Sequence, residues 1–208
     1  MRKPLRRGLI AVGVALSVAV GTGVWLQIRH GFSARDEPTA LEAAVASRLR
    51  HLSVPYATRA AKNPIPATPE VLAEARAHFA DHCAMCHAND GSGDTTIGRN
   101  LYPKAPDMRR ARTQSLSDGE LFYIIHNGIR LTGMPAWGSG RPEEDTASWK
   151  LVHFIRHLPA LTAEEIEEMR ALNPKGPHDR QEEAEIRAFL SGEASAPAAQ
   201  HSHDSHDD

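Results

Sequence analysis

The sequence predicts an all-α protein in which a small helical domain follows one membrane-spanning helix. Residues 69–160 show no convincing period-two alternation of apolar and polar side chains, and their apolar residues recur at helical spacing. Helix-start signals occur in the same region. Residues 8–28 contain no charged side chain, and a helix of that length reaches roughly 30 Å, the thickness of a bilayer core.

Basic side chains precede the apolar run, and by the positive-inside rule they stay cytoplasmic while the rest of the chain is exported. These residues are Arg2, Lys3, Arg6 and Arg7. We therefore predict a membrane anchor over residues 1–29. The alternative is a signal peptide cleaved near Gly21, although the apolar run continues through Leu26. Either way, the remaining chain lies outside the cytoplasm, where free thiols tend to oxidise.

Composition divides the exported part into four segments. Residues 30–68 are predicted to form a stalk, in which a short amphipathic helix is followed by three prolines. The apolar side of that helix consists of Leu41, Val45, Leu49 and Leu52. Residues 69–160 form the helical domain, and residues 161–191 form an acidic helical extension that begins at a capping box. Residues 192–208 form a disordered tail rich in His and Asp.

Three helices are predicted inside the domain. The first begins at Thr68, which suits a helix N-cap, and ends at a pair of cysteines. The second begins at the capping box of Ser117 and Glu120 and ends near Gly128. Its predicted core face consists of Leu121, Ile124 and Ile125. The third runs from Thr146 to Leu158. A domain of roughly 90 residues has a small core, so we expect a bound group to help fill it.

The only two cysteines, Cys83 and Cys86, form a C-x-x-C-H motif with His87. This spacing is typical of a haem attached through two thioethers, with the histidine as an iron ligand. A structural zinc site is an alternative, but it needs four ligands and the sequence offers no second pair at similar spacing. A redox dithiol would expect a βαβ setting, and a plain disulfide also remains open.

The second axial ligand of such an iron is predicted to be Met134, in the Gly- and Pro-rich loop NGIRLTGMPAWG. The residues considered as alternatives are Met85, Met108, Met169, His126, His153 and His157. An iron with histidine and methionine both bound has no easily exchanged position, so it passes single electrons instead of activating a ligand. We therefore predict an electron carrier and not an enzyme.

Four stretches, CAMCH, IGRNLYPKAPDM, FYIIHNGIR and TGMPAW, resemble the haem domain of a class I c-type cytochrome over about residues 69–160. The resemblance implies helices around one covalent haem c. It further implies that a proline carbonyl fixes the ring of the proximal histidine and that two aromatic residues lie near the haem. The prolines considered are Pro103 and Pro106, and the aromatic residues are Tyr102 and Trp137.

The expected function is electron transfer by a monohaem cytochrome in the bacterial inner membrane, with its haem domain facing the periplasm. The alternatives are a subunit of a larger respiratory oxidoreductase and, less favoured because only one C-x-x-C-H occurs, a haem enzyme such as a peroxidase. Expected partners are redox proteins and the membrane, but not nucleic acid. The tail residues His201, His203 and His206 are considered a weak site for a divalent metal.

Overall fold

A computed structural model describes residues 3–191, and within that range the chain contains helices and no strand. This confirms the predicted all-α class. The α-helices, in chain order, are α1 (Lys3–His30), α2 (Ala40–Ser53), α3 (Tyr56–Ala60), α4 (Pro69–His78), α5 (Ala84–His87), α6 (Thr96–Arg99), α7 (Ala111–Gln114), α8 (Asp118–Asn127), α9 (Thr146–His157), α10 (Ala163–Leu172) and α11 (Pro177–Leu190). A π-helical turn, Phe79–Cys83, joins α4 to α5, and two 3₁₀ turns cover Pro142–Glu144 and Leu158–Ala160.

The core of the domain forms where α4, α8 and α9 meet. The rings of Phe79 and Phe154 lie 5.0 Å apart, and those of Phe122 and Trp149 stack at 4.2 Å. The capping box predicted at Ser117 is present, with its hydroxyl accepting from the Glu120 amide. These contacts fix the position of α8, whose C-terminal end begins the methionine loop.

The helix α1 has the length and composition to cross a membrane. Its span Pro4–His30 has a mean hydropathy of 2.2, and none of its apolar window is buried against other parts of the described structure. These properties concern length and composition alone, and an N-terminal signal sequence shares them.

The segment predicted as a stalk packs against the helical domain between residues 37 and 65. Val54 is buried, the Ser117 hydroxyl donates to the Arg59 carbonyl at 2.7 Å, and Asn63 donates to the Trp149 carbonyl at 2.8 Å. The apolar face predicted for α2 is exposed along its whole length. The helix instead turns polar residues, among them Glu42, toward the domain.

The acidic extension begins with α10, which packs on the domain. Met169 is fully buried, and Glu165 accepts from Arg76 at 3.4 Å and lies 2.9 Å from the His157 Nε2. The capping box predicted for this helix is present at Thr162. The predicted disordered tail over residues 192–208, with its metal-site histidines, lies outside the described residues.

Candidate haem site

The cysteine side of the site is built on a continuous helical path. The π turn closes with a hydrogen bond from the Ala84 amide to the Phe79 carbonyl, so α4 passes into α5 with one extra residue in the turn. Phe79 and Ala80 are buried and hold this turn in the core. Cys83, Cys86 and His87 therefore face the same cleft.

The cleft has an empty volume of about 970 Å³, counting the part open to solvent. It contains all four residues predicted to bind the cofactor, namely Cys83, Cys86, His87 and Met134. An inner part of the cleft shares three of the four and is lined mainly by apolar side chains, including Phe79, Leu116, Leu121, Ile125 and Ile129. Such a lining suits a large apolar macrocycle and keeps water away from the axial ligands.

The two thiols are free and neutral. Burial, followed by the neighbouring Cys86, raises the pKa of Cys83 to about 12, and burial also raises the pKa of Cys86. A structural zinc site needs four ligands, and the described part of the chain contains no group of three or more His, Cys, Asp or Glu residues arranged to hold a metal ion.

His87 is half-buried, with its Nδ1 fully buried, in a way that favours an iron ligand. Burial lowers its pKa, and the Pro106 carbonyl only partly opposes this effect, so the imidazole is favoured in its neutral, ligating form. Among the side chains that the structure describes, its Nδ1 is the one buried nitrogen or oxygen that lacks a partner in hydrogen-bonding geometry. The carbonyl that acts on this ring is that of Pro106 and not that of Pro103. The contact falls short of a hydrogen bond. A neutral imidazole beside two free thiols fits a haem c.

Met134 lines the same cleft from the loop that follows α8. The Ile129 amide donates to the Met134 carbonyl at 3.1 Å, and the Met134 amide donates to the Thr132 hydroxyl at 3.1 Å. Gly128 begins the loop at φ +66°, and a Cβ there would lie 2.6 Å from the Pro135 carbonyl carbon. Glycine is therefore required at this position for the loop to fold back toward the cleft.

The loop is also attached to the end of α8. The Trp137 amide donates to the Ile125 carbonyl at 3.1 Å, and the Gly138 amide donates to the His126 carbonyl at 3.0 Å. His126 is buried with its Nδ1 2.7 Å from the Asp145 carboxylate. Burial raises the pKa of Asp145, but hydrogen bonds from Ser148 and His126 outweigh it, so the pKa is lowered overall. This buried pair therefore helps to hold the loop in place.

The other residues considered as distal ligands are mostly held elsewhere. His126 pairs with Asp145, and the Nε2 of His153 lies 2.8 Å from the Ile65 carbonyl oxygen. His157 contacts Glu165, Met85 is 54% exposed, and Met169 is buried under α10. Met108 does line the inner part of the cleft, so it remains an alternative to Met134.

The two aromatic residues expected near the haem differ in their position relative to the cleft. Trp137 lines the cleft and is 39% exposed. Tyr102 is not among the lining residues; its hydroxyl donates to Glu42 at 2.6 Å. A lining residue that the sequence analysis missed is Arg50, from α2. Its only sequence signal is a basic residue on an amphipathic helix, which ordinarily indicates a solvated face.

A comparison with protein-family models matches residues 70–155 to the family described as cytochrome c oxidase, cbb3-type, subunit III. Together with the all-helical fold, this match shows that the segment is a class I c-type cytochrome domain, as the resemblance predicted. A domain of this class carries haem c and transfers electrons. The match covers less than half of the chain and leaves out α1 to α3, α10 and α11. No curated protein matches the chain significantly.

Proposed function

We propose that this protein is a membrane-anchored electron carrier with one haem c, attached through Cys83 and Cys86 and coordinated by His87 and Met134. The observation that carries the proposal is the meeting of these four side chains in one cleft, although the two cysteines and the methionine come from separate parts of the chain. When bound, the haem supplies an iron that cycles between the ferric and ferrous states.

The protein's own residues set how that iron behaves. His87 and Met134 would both hold the haem iron, which would leave no easily exchanged position for exogenous ligands. The apolar lining excludes water, and the methionine favours the ferrous state, which raises the reduction potential. The carbonyl of Pro106 acts on the ring of His87 and helps to fix its orientation.

The position of the haem domain follows from α1. The basic residues at its start favour the cytoplasmic side, so the domain that follows α1 lies on the other side of the membrane. In a bacterium this is the periplasmic face of the inner membrane. The length and apolar surface of α1 support an anchor.

A second candidate is a subunit of a larger respiratory oxidase, in which the haem passes electrons to a bound neighbour. The description of the matched family favours this candidate. The exposed apolar face of α2 offers a surface for such a neighbour. Purification in mild detergent separates the two: a carrier elutes alone, whereas a subunit brings other oxidase subunits with it.

The test of the main proposal is an absorption spectrum of the full chain, produced in a host that attaches haem c. We expect one haem that survives denaturing electrophoresis, and a weak ferric band at the red end of the visible range that reports iron–methionine bonding. A colourless mature protein, rapid turnover of peroxide, or ferric iron that readily binds azide at full occupancy would contradict the proposal.

A further inference from the structure

The cleft carries positive charge that its own lining does not neutralise. Among the described residues that line it there are three basic side chains, Arg50, Lys104 and Arg112, and no Asp or Glu. Lys104 forms an ion pair with Glu37, and Arg112 donates to the Ser47 hydroxyl at 3.3 Å. A partly enclosed cleft with cations on its wall favours a ligand that has anionic groups.

Arg50 is the cation whose charge is least satisfied. It is partly buried and lines both the outer and the inner parts of the cleft. Within residues 3–191 its guanidinium makes no hydrogen bond or ion pair. Glu120 is the acid whose charge acts on it, but that carboxylate already contacts His51 Nδ1 at 2.6 Å and accepts from the Ser117 amide at 2.9 Å. A partly desolvated guanidinium without an acceptor favours the binding of an anionic group.

We infer that Arg50 binds a propionate of the haem, with Arg112 as a second and weaker contact. The inference rests on the proposed function. The two propionates are the anionic groups at the haem periphery, and the planar fork of an arginine matches a carboxylate. Because α2 lies outside residues 70–155, the segment that matches the cytochrome family, this contact ties the N-terminal segment to the cofactor.

The proposed contact has two electrostatic consequences. A cation beside a propionate disfavours the extra positive charge of ferric iron, so its removal lowers the reduction potential. The same cation keeps the propionate ionised. Without it, a desolvated carboxylate has a raised pKa, and its protonation near neutral pH makes the reduction potential rise as the pH falls.

The experiment compares haem-loaded, full-length variants Arg50→Gln, Arg50→Lys and Arg48→Gln. Arg48 is the matched control because it is exposed on the same helix and does not line the cleft. We expect Arg50→Gln to reduce the ferrous-to-ferric ratio at a fixed electrode potential at least threefold, which is about 28 mV at 59 mV per tenfold change. Its potential should also become more pH-dependent between pH 5 and 8, whereas Arg48→Gln should match the wild type.

The outcomes separate this inference from the proposed function. If Arg50→Gln and Arg48→Gln give the same potential and the same pH profile, with the axial ligation of the wild type, Arg50 does not bind a propionate and the electron-carrier proposal stands. If the wild type contains no haem, the proposed function itself fails. If Arg50→Gln does not accumulate, the reduction potentials of Arg50→Lys and Arg112→Gln test the inference instead. Each should shift the potential in the same direction but less, and wild-type values for both would overturn the inference.

Discussion

The cysteine side and the methionine side of the cleft are built in different ways. On the cysteine side, the residues at positions 83, 86 and 87 lie on one continuous helical path through the π turn and α5. On the methionine side, Met134 lies in an irregular loop held by backbone hydrogen bonds to α8, next to the buried pair of His126 and Asp145.

Two histidines show what this difference means. His126 has its buried nitrogen partnered by a carboxylate, as buried polar groups usually do. His87 is half-buried, leaves its Nδ1 without a hydrogen bond and lines the cleft together with both cysteines. The first histidine stabilises the fold, whereas the second is placed to bind a group in the cleft. The cysteine side should therefore control whether haem is attached, and the methionine side should control what the iron can bind.

The largest expected effect comes from the cysteines. The double variant Cys83→Ser, Cys86→Ser cannot form either thioether, so haem should be lost completely on denaturation. Haem staining after denaturing electrophoresis measures this loss. The single variant Cys86→Ser keeps one thiol and should retain part of the stain. Full staining of the double variant would show that the attachment does not use these thiols.

Replacement of Met134 should leave the haem attached but free one coordination position of the iron. In Met134→Ala the sixth position is vacant, so the ferric protein should bind azide at least tenfold more tightly and its reduction potential should fall. Azide titration and a redox titration measure the two effects. Met85→Ala is the control, since Met85 is exposed. If Met134→Ala behaves like the wild type, Met108→Ala becomes the decisive variant because Met108 also lines the cleft.

The sequence predicted the C-x-x-C-H motif and the starts of three helices because their signals are local. The motif spacing, the N-cap at Thr68 and the capping boxes at Ser117 and Thr162 each depend on residues within one helical turn, and the structure contains all three caps. The third predicted helix also agrees, with α9 ending at His157 and a 3₁₀ turn continuing from Leu158.

The features that the sequence did not predict depend on contacts between residues far apart in the chain. His126 and Asp145 are separated by 19 positions, and no periodic pattern links them. Ile124 was predicted in the core of the domain together with Leu121 and Ile125, but it is only half-buried, whereas the other two are buried. The segment around Arg50 looked like a stalk because its prolines and its apolar helical face carry no information about the polar contacts that join it to the domain.

A smaller effect should follow from removing the support of the methionine loop. Asp145→Ala removes the partner of His126 and the N-cap of α9, where Asp145 accepts from the Ser148 amide at 3.0 Å. We expect a loss of about 2 kcal/mol in the free energy of unfolding, together with faster azide binding to the ferric iron. Chemical denaturation and stopped-flow mixing measure these effects. Glu144→Ala, at an exposed neighbouring position, should change neither.

The smallest expected effect is a dependence on acid pH that arises from the same carboxylate. The pKa of Asp145 is lowered from its ordinary value of 3.8. The ionised form is therefore the one that the folded state prefers, and its stabilisation is fully present above pH 3.8 and is lost as the pH falls through the lowered folded-state pKa. In Asp145→Asn this contribution is absent at every pH. The difference in unfolding free energy between wild type and variant should therefore shrink as the pH falls below about 3.8, and a series from pH 5 to pH 2.5 covers this window. If denaturation at several pH values gave a constant difference, the carboxylate charge would play no part in holding the methionine loop, and only the shape of the side chain would matter.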